Sequence, residues 1–208
     1  MQQRTEEWMA SRCGKVTASR IADLMARTKS GYGASRTNYM AELLIERLTG
    51  QPSDRYTNAA MEWGTAQEPA AREAYELAHN VMVEEVGFIL HPLIADAGAS
   101  PDGIVGDLGL VEIKCPNSAT HLDTLLSGAV PDKYVKQMQF QMACTGRHWC
   151  DFASFDPRLP PRMQLFVIRV ERDPSLMNDM EEEVRAFLKE LEAKVAALTE
   201  RYGIREAA

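Results

Sequence analysis

The segment SPDGIVGDLGLVEIKCP, residues 100–116, most constrains what this chain can fold into. Residues 109–115 read as a strand whose alternation places Glu112 and Lys114 on one face and apolar side chains on the other. A core strand would carry apolar residues on both faces, so we expect the polar face to look into a cleft or solvent. Asp102 precedes the strand in a tight Pro-Asp-Gly turn, so two carboxylates and an amine can converge.

This set of side chains is suited to a hard divalent cation. Mg²⁺ prefers oxygen ligands, which Asp102, Glu112 and the backbone carbonyl of Ile113 can supply together with water. Lys114 beside the metal can orient or deprotonate an attacking water, because a nearby cation and burial both lower a lysine pKa. Such a site hydrolyses phosphodiesters. The alternative is an exposed strand edge with two solvated charges, and these residues alone leave both readings open.

The remaining pattern predicts one mixed domain around this strand. Helices are predicted over 17–27, 35–48, 59–78, 132–145 and about 173–202. Short strands are predicted at 81–90, 94–100, 103–106, 109–115, 148–155 and 163–170. Helices first, a block of strands and helices last indicate an α/β (α+β) domain, with a central mixed sheet flanked by helices.

Three local features refine this outline. Thr17 is expected to cap the first of these helices, and Pro69 to start or kink the helix over 59–78. The segment RTKSGYGAS, residues 27–35, is expected to be a mobile basic loop. The apolar stripe of the C-terminal helix is expected to pack on the domain.

Charge and cysteine usage limit the class of protein. The net charge is −7, yet residues 1–50 carry eight Lys and Arg against five Asp and Glu, so a polyanion would approach this third of the chain. The four cysteines are scattered, which indicates reduced thiols rather than a zinc site or a disulfide scaffold. The polar start and the lack of a long apolar run favour a cytoplasmic protein without a membrane anchor.

Motifs along the chain resemble those of a known family, the phage lambda exonuclease type of PD-(D/E)xK nuclease, also called the YqaJ-like viral recombinases. They occur in family order from residue 4 to about residue 173. The family motifs are Trp then Arg then I/V-T-A-S, W-G-x-x-x-E, S-P-D-G, G-L-E-L-K-C-P, a Q-x-Q helix and Y/F-D-P-R. The matching stretches are RTEEWMASRCGKVTAS, MEWGTAQE, SPDG, GLVEIKCP, KQMQFQM and FASFDPRLP.

The resemblance implies a single nuclease domain over 1–208 with a restriction-endonuclease-like PD-(D/E)xK core. Its parts would be an N-terminal helical DNA-end-binding part (about 1–79), a catalytic sheet core (about 80–170) and a C-terminal helix (about 173–202). It implies a processive exonuclease that uses Mg²⁺, two per active site, with Mn²⁺ able to substitute. This enzyme would degrade the 5′-ended strand of linear double-stranded DNA.

The same resemblance implies partners and a location. Members of the family close into a homotrimeric ring, and the 3′ overhang that they leave is used by a phage single-strand annealing protein. The protein would be encoded by a phage or prophage and act in the bacterial cytoplasm. Two alternatives stay open, namely a structure- or sequence-selective endonuclease on the same core and a non-catalytic DNA-end-binding recombination protein.

By the same resemblance, Asp102 and Glu112 would hold the metals, Lys114 would serve the water, and Glu68 would complete the second metal site from a helix. A pocket for the DNA 5′-phosphate is matched by Arg12, Ser19, Ser100 and Gln137. The chemistry suits an anion, since Arg gives a bidentate contact and hydroxyls and amides donate hydrogen bonds.

Two further positions match family residues that touch the duplex. Met61 lies where the family places an apolar wedge that parts the terminal base pair. Lys29 matches a family Arg that follows the duplex, although Lys lacks the planar fork of Arg. Trp8 matches a family Trp near the phosphate pocket. Of Gln137 and Gln141, which are four residues apart on one helix, we favour Gln137 for the phosphate.

Overall fold

A computed structural model describes residues 2–53 and 58–203 of the 208-residue chain. The described residues form the α-helices α1 Glu6–Arg12, α2 Ile21–Leu24, α3 Ala34–Thr49, α4 Ala59–His79, α5 Ser118–Ser127, α6 Asp132–Thr145 and α7 Pro174–Tyr202. The strands are β1 Val16–Thr17, β2 Arg27–Thr28, β3 Gly31–Tyr32, β4 Val83–Glu84, β5 Ile89–His91, β6 Ile94–Ala99, β7 Gly103–Val105, β8 Gly109–Lys114, β9 Trp149–Phe155 and β10 Leu165–Glu171. The single domain expected over 1–208 has both ends outside the described residues and stays a prediction.

The largest sheet has five strands in the order β10-β9-β8-β7-β4. Strand β8 lies at its centre, parallel to β9 and antiparallel to β7. Strands β1, β6 and β5 form a second sheet, and β2 and β3 form a hairpin. This mixed sheet, with helices packed around it, confirms the α/β (α+β) expectation.

Helices cover both faces of β8. On one face, Val111 and Ile113 share a hydrophobic cluster with buried residues of α4. On the other face, Leu110 belongs to the main core together with Met138 of α6. Because side chains alternate along a strand, Glu112 points to the same face as Leu110, beneath α6.

The C-terminal helix packs on the domain as its apolar stripe predicts. Its buried residues join the main core, and they are Met177, Met180, Val184, Phe187, Leu188 and Leu191. Asp173 caps the helix by accepting hydrogen bonds from the N–H groups of Ser175 and Leu176. Over the described ranges, no helix is both long enough and apolar enough to cross a membrane.

Thr17 does not cap a helix, so the prediction of one helix over 17–27 is wrong. Thr17 ends β1, where it pairs with Gly98 of β6, and its side chain makes no capping hydrogen bond. A 3₁₀ turn at Ala18–Arg20 separates it from the short α2. Its N–H donates to the Tyr39 hydroxyl at 3.0 Å, and parallel pairing holds its backbone extended.

The prediction of a loop over the basic segment 27–35 is also wrong, while the mobility of this segment stays a prediction. Strands β2 and β3 pair in a hairpin, which α7 holds through a single carboxylate. Arg27 forms an ion pair with Glu183, and the Tyr32 hydroxyl donates to the same side chain at 2.9 Å. Lys29 lies exposed in the turn.

Helix α4 continues through Pro69 from Ala59 to His79, so it does not start at the proline. Two helices, α1 and α5, occur where the sequence pattern gave no prediction. Both begin with a side-chain cap, at Thr5 for α1 and Asn117 for α5. Capping therefore marks helices that are too short for a clear periodicity.

Candidate active site

Glu112 is 1% exposed, and α6 covers it. Gln137 Nε2 donates to Glu112 Oε1 and Gln141 Nε2 donates to Glu112 Oε2, each at 2.6 Å. Lys114, on the same face of β8, forms an ion pair with Oε1. Helix α6 therefore covers Glu112, whereas the Lys114 side chain is 28% exposed, so the polar face opens to solvent only in part. Such partners are needed, since an unpaired buried carboxylate is strongly unfavourable.

Asp102 lies beside this pair at the start of the hairpin that leads into β8. The N–H of Ile113 donates to Asp102 Oδ2 at 2.7 Å, which fixes the carboxylate against the strand. Burial and then repulsion from Glu112 raise the pKa of Asp102, and Glu68 adds to this repulsion. Asp102 therefore lies beside Glu112 and Lys114, as predicted. The charge of Glu68 also acts on Asp102, because it contributes to the raised pKa of this carboxyl.

Lys114 is held as a cation by its neighbours. Burial alone would lower its pKa, but Glu112 and Asp102 outweigh burial and raise the pKa above its ordinary value. The lowered pKa expected beside a bound cation stays a prediction, since these side chains by themselves raise it. The ammonium also lies 5.3 Å from the ring centroid of Tyr134, a residue that sequence reasoning did not single out.

Helix α4 brings Glu68 to the site because it approaches the end of β8 closely. A Cβ at Gly64 would lie 3.0 Å from the carbonyl oxygen of Cys115, so a larger residue there would push the helix away. Both Glu68 oxygens accept from Arg4 Nη2, at 2.7 and 2.6 Å. Arg4 was not predicted, since an isolated arginine near the start of a chain has no recognisable pattern.

Arg158 joins three of the motif segments. Its guanidinium lies 3.9 Å from the ring centroid of Trp63, in α4. It donates twice to Asp156, through Nε at 2.7 Å and Nη2 at 3.0 Å, and to the carbonyl of Pro116 at 3.3 Å. This arrangement holds the start of α4 against the segment that follows β8.

Two of the residues expected to bind the 5′-phosphate are in direct contact. Ser100 Oγ accepts from Arg12 Nη1 at 3.0 Å and from Trp8 Nε1 at 2.9 Å. The Arg12 guanidinium lies 4.1 Å from the Trp8 ring centroid. Ser19 is exposed in the 3₁₀ turn, which packs against α6, and its Oγ is 3.3 Å from that of Thr17. Gln137 contacts Glu112, so this pocket is only partly assembled.

The two residues expected to touch the duplex are both exposed. Met61 lies in the first turn of α4 and is 53% exposed, which excludes it from the core. Lys29 lies in the hairpin turn. Their roles on DNA stay predictions.

The donor set fits a divalent cation in chemistry, although it is not yet arranged around one. Each of the three expected carboxylates accepts a donor that a cation could replace: Lys114 on Glu112, Arg4 on Glu68 and the N–H of Ile113 on Asp102. In the described parts of the chain, no three His, Cys, Asp or Glu side chains converge as a metal cluster.

Solved structures share this fold over most of the chain. The alkaline exonuclease LHK-Exo from Laribacter hongkongensis is 56% identical with a TM-score of 0.90, over 96% of this chain and 98% of that chain. The same values hold for LHK-Exo in complex with dAMP. A phage-related exonuclease from Haemophilus somnus 129PT is 16% identical with a TM-score of 0.73, over 88% of this chain and 96% of that chain, and shows the fold alone. No curated protein matches the chain.

These likenesses establish the restriction-endonuclease-like PD-(D/E)xK fold, with a central mixed sheet flanked by helices. The family model for the YqaJ-like viral recombinase domain matches residues 7–148. This range includes β8, α4 and α6, the three elements that carry Glu112, Glu68 and Gln137. The chain therefore belongs to the YqaJ-like viral recombinase family.

Proposed function

We propose that the protein is a Mg²⁺-dependent, processive 5′→3′ exonuclease that acts on linear double-stranded DNA. It would start at 5′-phosphorylated ends and leave 3′ overhangs for single-strand annealing recombination. Family membership and the likeness to an alkaline exonuclease support a DNA exonuclease of recombination. The observation that carries the proposal is the clustering of Asp102, Glu112 and Lys114 at one end of β8, with Glu68 of α4 near enough for its charge to raise the pKa of Asp102.

The carboxylates would serve as metal ligands. Glu68, Asp102, Glu112 and the carbonyl of Ile113 would hold two Mg²⁺ ions, with Mn²⁺ able to substitute. When bound, these cations would stabilise the charge that develops on the phosphate and lower the pKa of water. Gln141 would keep the Glu112 carboxylate fixed in direction, since it donates to Oε2 from a fully buried position.

Lys114 would act as a charged hydrogen-bond donor at the reacting centre. Its neighbours favour the charged ammonium, which would orient the attacking water or a phosphate oxygen. In the reaction the water oxygen bonds to phosphorus, the bond from phosphorus to the 3′ oxygen breaks, and a 5′-mononucleotide leaves. The water proton passes to solvent and the 3′ oxygen gains one.

The 5′-phosphate would bind between Arg12, Ser19, Ser100 and Gln137. Arg12 already donates to Ser100, so the guanidinium and the hydroxyl lie side by side for one anion. Gln137 donates one N–H to Glu112, and the second N–H of the same amide would be available to the phosphate. Holding the end in this way selects the strand to be cut and places the scissile bond at a fixed distance.

Further parts of the proposal concern the duplex and the partners. Met61 would part the terminal base pair, and Lys29 would follow the duplex ahead of the cut. A homotrimeric ring would keep the enzyme on its substrate between cuts, and sedimentation of the purified protein tests it. The overhang would pass to a phage single-strand annealing protein in the bacterial cytoplasm.

Digestion of linear and covalently closed duplex of the same sequence tests the proposal. With Mg²⁺ the protein should degrade the linear form and leave the closed circle intact. Lys114→Ala should degrade neither while binding linear duplex in Ca²⁺ with nearly unchanged affinity. Cutting of the closed circle would favour the endonuclease alternative. A lack of any Mg²⁺-dependent digestion by the unaltered protein would favour a non-catalytic DNA-end-binding protein.

A further inference from the structure

The segment before α1 is fixed on both sides of Arg4. Gln3 Nε2 donates to the carbonyl of Val86 at 2.8 Å and to that of Pro101 at 2.7 Å. Pro101 is the residue directly before Asp102, so this anchor ties the segment to the candidate active site. Thr5 follows as the N-cap of α1. The backbone of Arg4 is therefore positioned by its neighbours and not by its own ion pair.

Arg4 adopts an unusual backbone conformation. Its φ is 69°, in the left-handed region that non-glycine residues rarely occupy. Within the described residues, the other non-glycine residue with positive φ is Asn80, which ends α4 as a left-handed cap. Arg4 has no such capping role. Backbone conformations of this kind cluster at functional sites, where the surroundings enforce them.

The side chain of Arg4 covers the oxygens that the proposed function assigns to a metal. One guanidinium nitrogen donates to both Glu68 oxygens, at 2.7 and 2.6 Å. A guanidinium and a divalent cation compete for the same carboxylate, since both need its negative charge. The ion pair is partly exposed to solvent, since the Arg4 side chain is 51% exposed and that of Glu68 is 23% exposed. Replacing Arg4 by a cation at Glu68 therefore costs little free energy.

A guanidinium displaced from Glu68 would stay beside the reacting centre, because Gln3 and Thr5 hold the chain on both sides of it. The anion that arrives there during the proposed reaction is a DNA phosphate, which Arg binds well. We propose that Arg4 is a further cationic residue of the active site, which holds Glu68 in the free protein and exchanges it for a DNA phosphate when a divalent cation binds. This inference rests on the proposed function.

Two binding measurements test the exchange without relying on catalysis. In calorimetric titration with Mn²⁺ and no DNA, Arg4→Gln should bind the ion about fivefold more tightly at the site that Glu68→Gln removes. In Ca²⁺, Arg4→Gln should bind 5′-phosphorylated duplex about fivefold more weakly, and Arg4→Lys should recover part of that loss. Melting temperatures close to that of the unaltered protein show that the variants fold.

Arg185→Gln is a matched control, because Arg185 pairs with Glu181 on α7 at 2.9 Å with similar exposures of 47% and 18%. It should change neither affinity. Unchanged Mn²⁺ affinity in Arg4→Gln, or unchanged DNA affinity, overturns the inference while the proposed function stands. If the unaltered protein binds no Mn²⁺, the proposed metal site fails and the inference fails with it.

Discussion

The side-chain amide of Gln137 donates to Glu112 Oε1, the same oxygen that the Lys114 ammonium contacts. Gln137 is also the residue expected to bind the 5′-phosphate. The Gln137 amide nitrogen carries two hydrogens, so this side chain could donate to Glu112 and to the phosphate together and link the two sites.

The two glutamines on Glu112 should differ in their contribution to stability. Gln141 is fully buried, so Gln141→Met leaves the carboxylate without a replacement donor and should lower the free energy of unfolding by about 2 kcal/mol. Gln137 is partly accessible and water can replace it, so Gln137→Met should cost less than about 1 kcal/mol. Urea unfolding of the protein in EDTA measures both. A larger loss for Gln137→Met would contradict the arrangement.

Removing the charge of Asp102 should stabilise the cation-free protein. Burial, and then Glu112, raises the pKa of Asp102 to about 8, against an ordinary value of 3.8. Between these two pKa values, Asp102 therefore keeps a proton in the folded state that it releases in the unfolded chain. The contribution of this proton to the free energy of unfolding is full below pH 4 and is lost as pH rises towards 8. In EDTA, Asp102→Asn should raise the melting temperature by about 4 °C at pH 8 and not at pH 4.

The exposed Asp107 supplies a control for this experiment. Asp107→Asn should leave the melting temperature nearly unchanged at both pH values. An equal gain for Asp102→Asn at pH 4 and pH 8 would show that the effect does not come from its charge.

The Arg12 pocket should decide the preference for 5′-phosphorylated ends. Charge-assisted hydrogen bonds contribute about 1.5–3 kcal/mol, so Arg12→Ala should lower the ratio of digestion rates on 5′-phosphate and 5′-hydroxyl duplexes by at least about tenfold. Ser100→Ala should lower it less, because one neutral donor is lost. Rates on the two duplexes measure the ratio. A ratio that Arg12→Ala leaves unchanged would remove the phosphate role of this residue.

The ion pair between Asp156 and Arg158 should stabilise the protein in a pH-dependent way. Burial alone would raise the pKa of Asp156, but hydrogen bonds from Arg158 and Ser118 lower it to about 2. The ion pair therefore contributes fully to the free energy of unfolding above the ordinary pKa of an aspartate, and this contribution is lost as pH falls towards 2. Asp156→Asn should cost about 2 kcal/mol at pH 7, and the deficit should be about half as large at pH 3. A deficit that is constant between these pH values in urea unfolding would contradict the account.

Strand alternation was enough to place Glu112 and Lys114 on one face of β8, and the turn at Asp102 was enough to bring the second carboxylate beside them. Neither of these two patterns could show that α6 covers Glu112, because Gln141 of α6 contacts Glu112 only through tertiary packing. The prediction that Thr17 caps a helix was wrong for the same reason, because Thr17 pairs in a sheet with Gly98, which lies far from it in the sequence.

Long-range contacts of charged side chains also decided two further features that sequence reasoning did not find. The glycine-rich segment around Lys29 is held as a hairpin by Glu183 of the C-terminal helix. Arg4 meets Glu68 because α4 and the segment before α1 converge at the end of β8. Neither contact leaves a local pattern in the sequence, whereas the motif W-G-x-x-x-E does reflect a physical need, the close approach of Gly64 to Cys115.

The central claim is that the protein removes nucleotides from the 5′ end of a duplex. The most direct test is digestion in Mg²⁺ of one linear, 5′-phosphorylated duplex labelled separately at a 5′ end and at a 3′ end. The 5′ label should appear at once as mononucleotide, while the 3′ label should stay on a strand that shortens gradually. Early release of the 3′ label as mononucleotide, or internal fragments of fixed length, would contradict the claim.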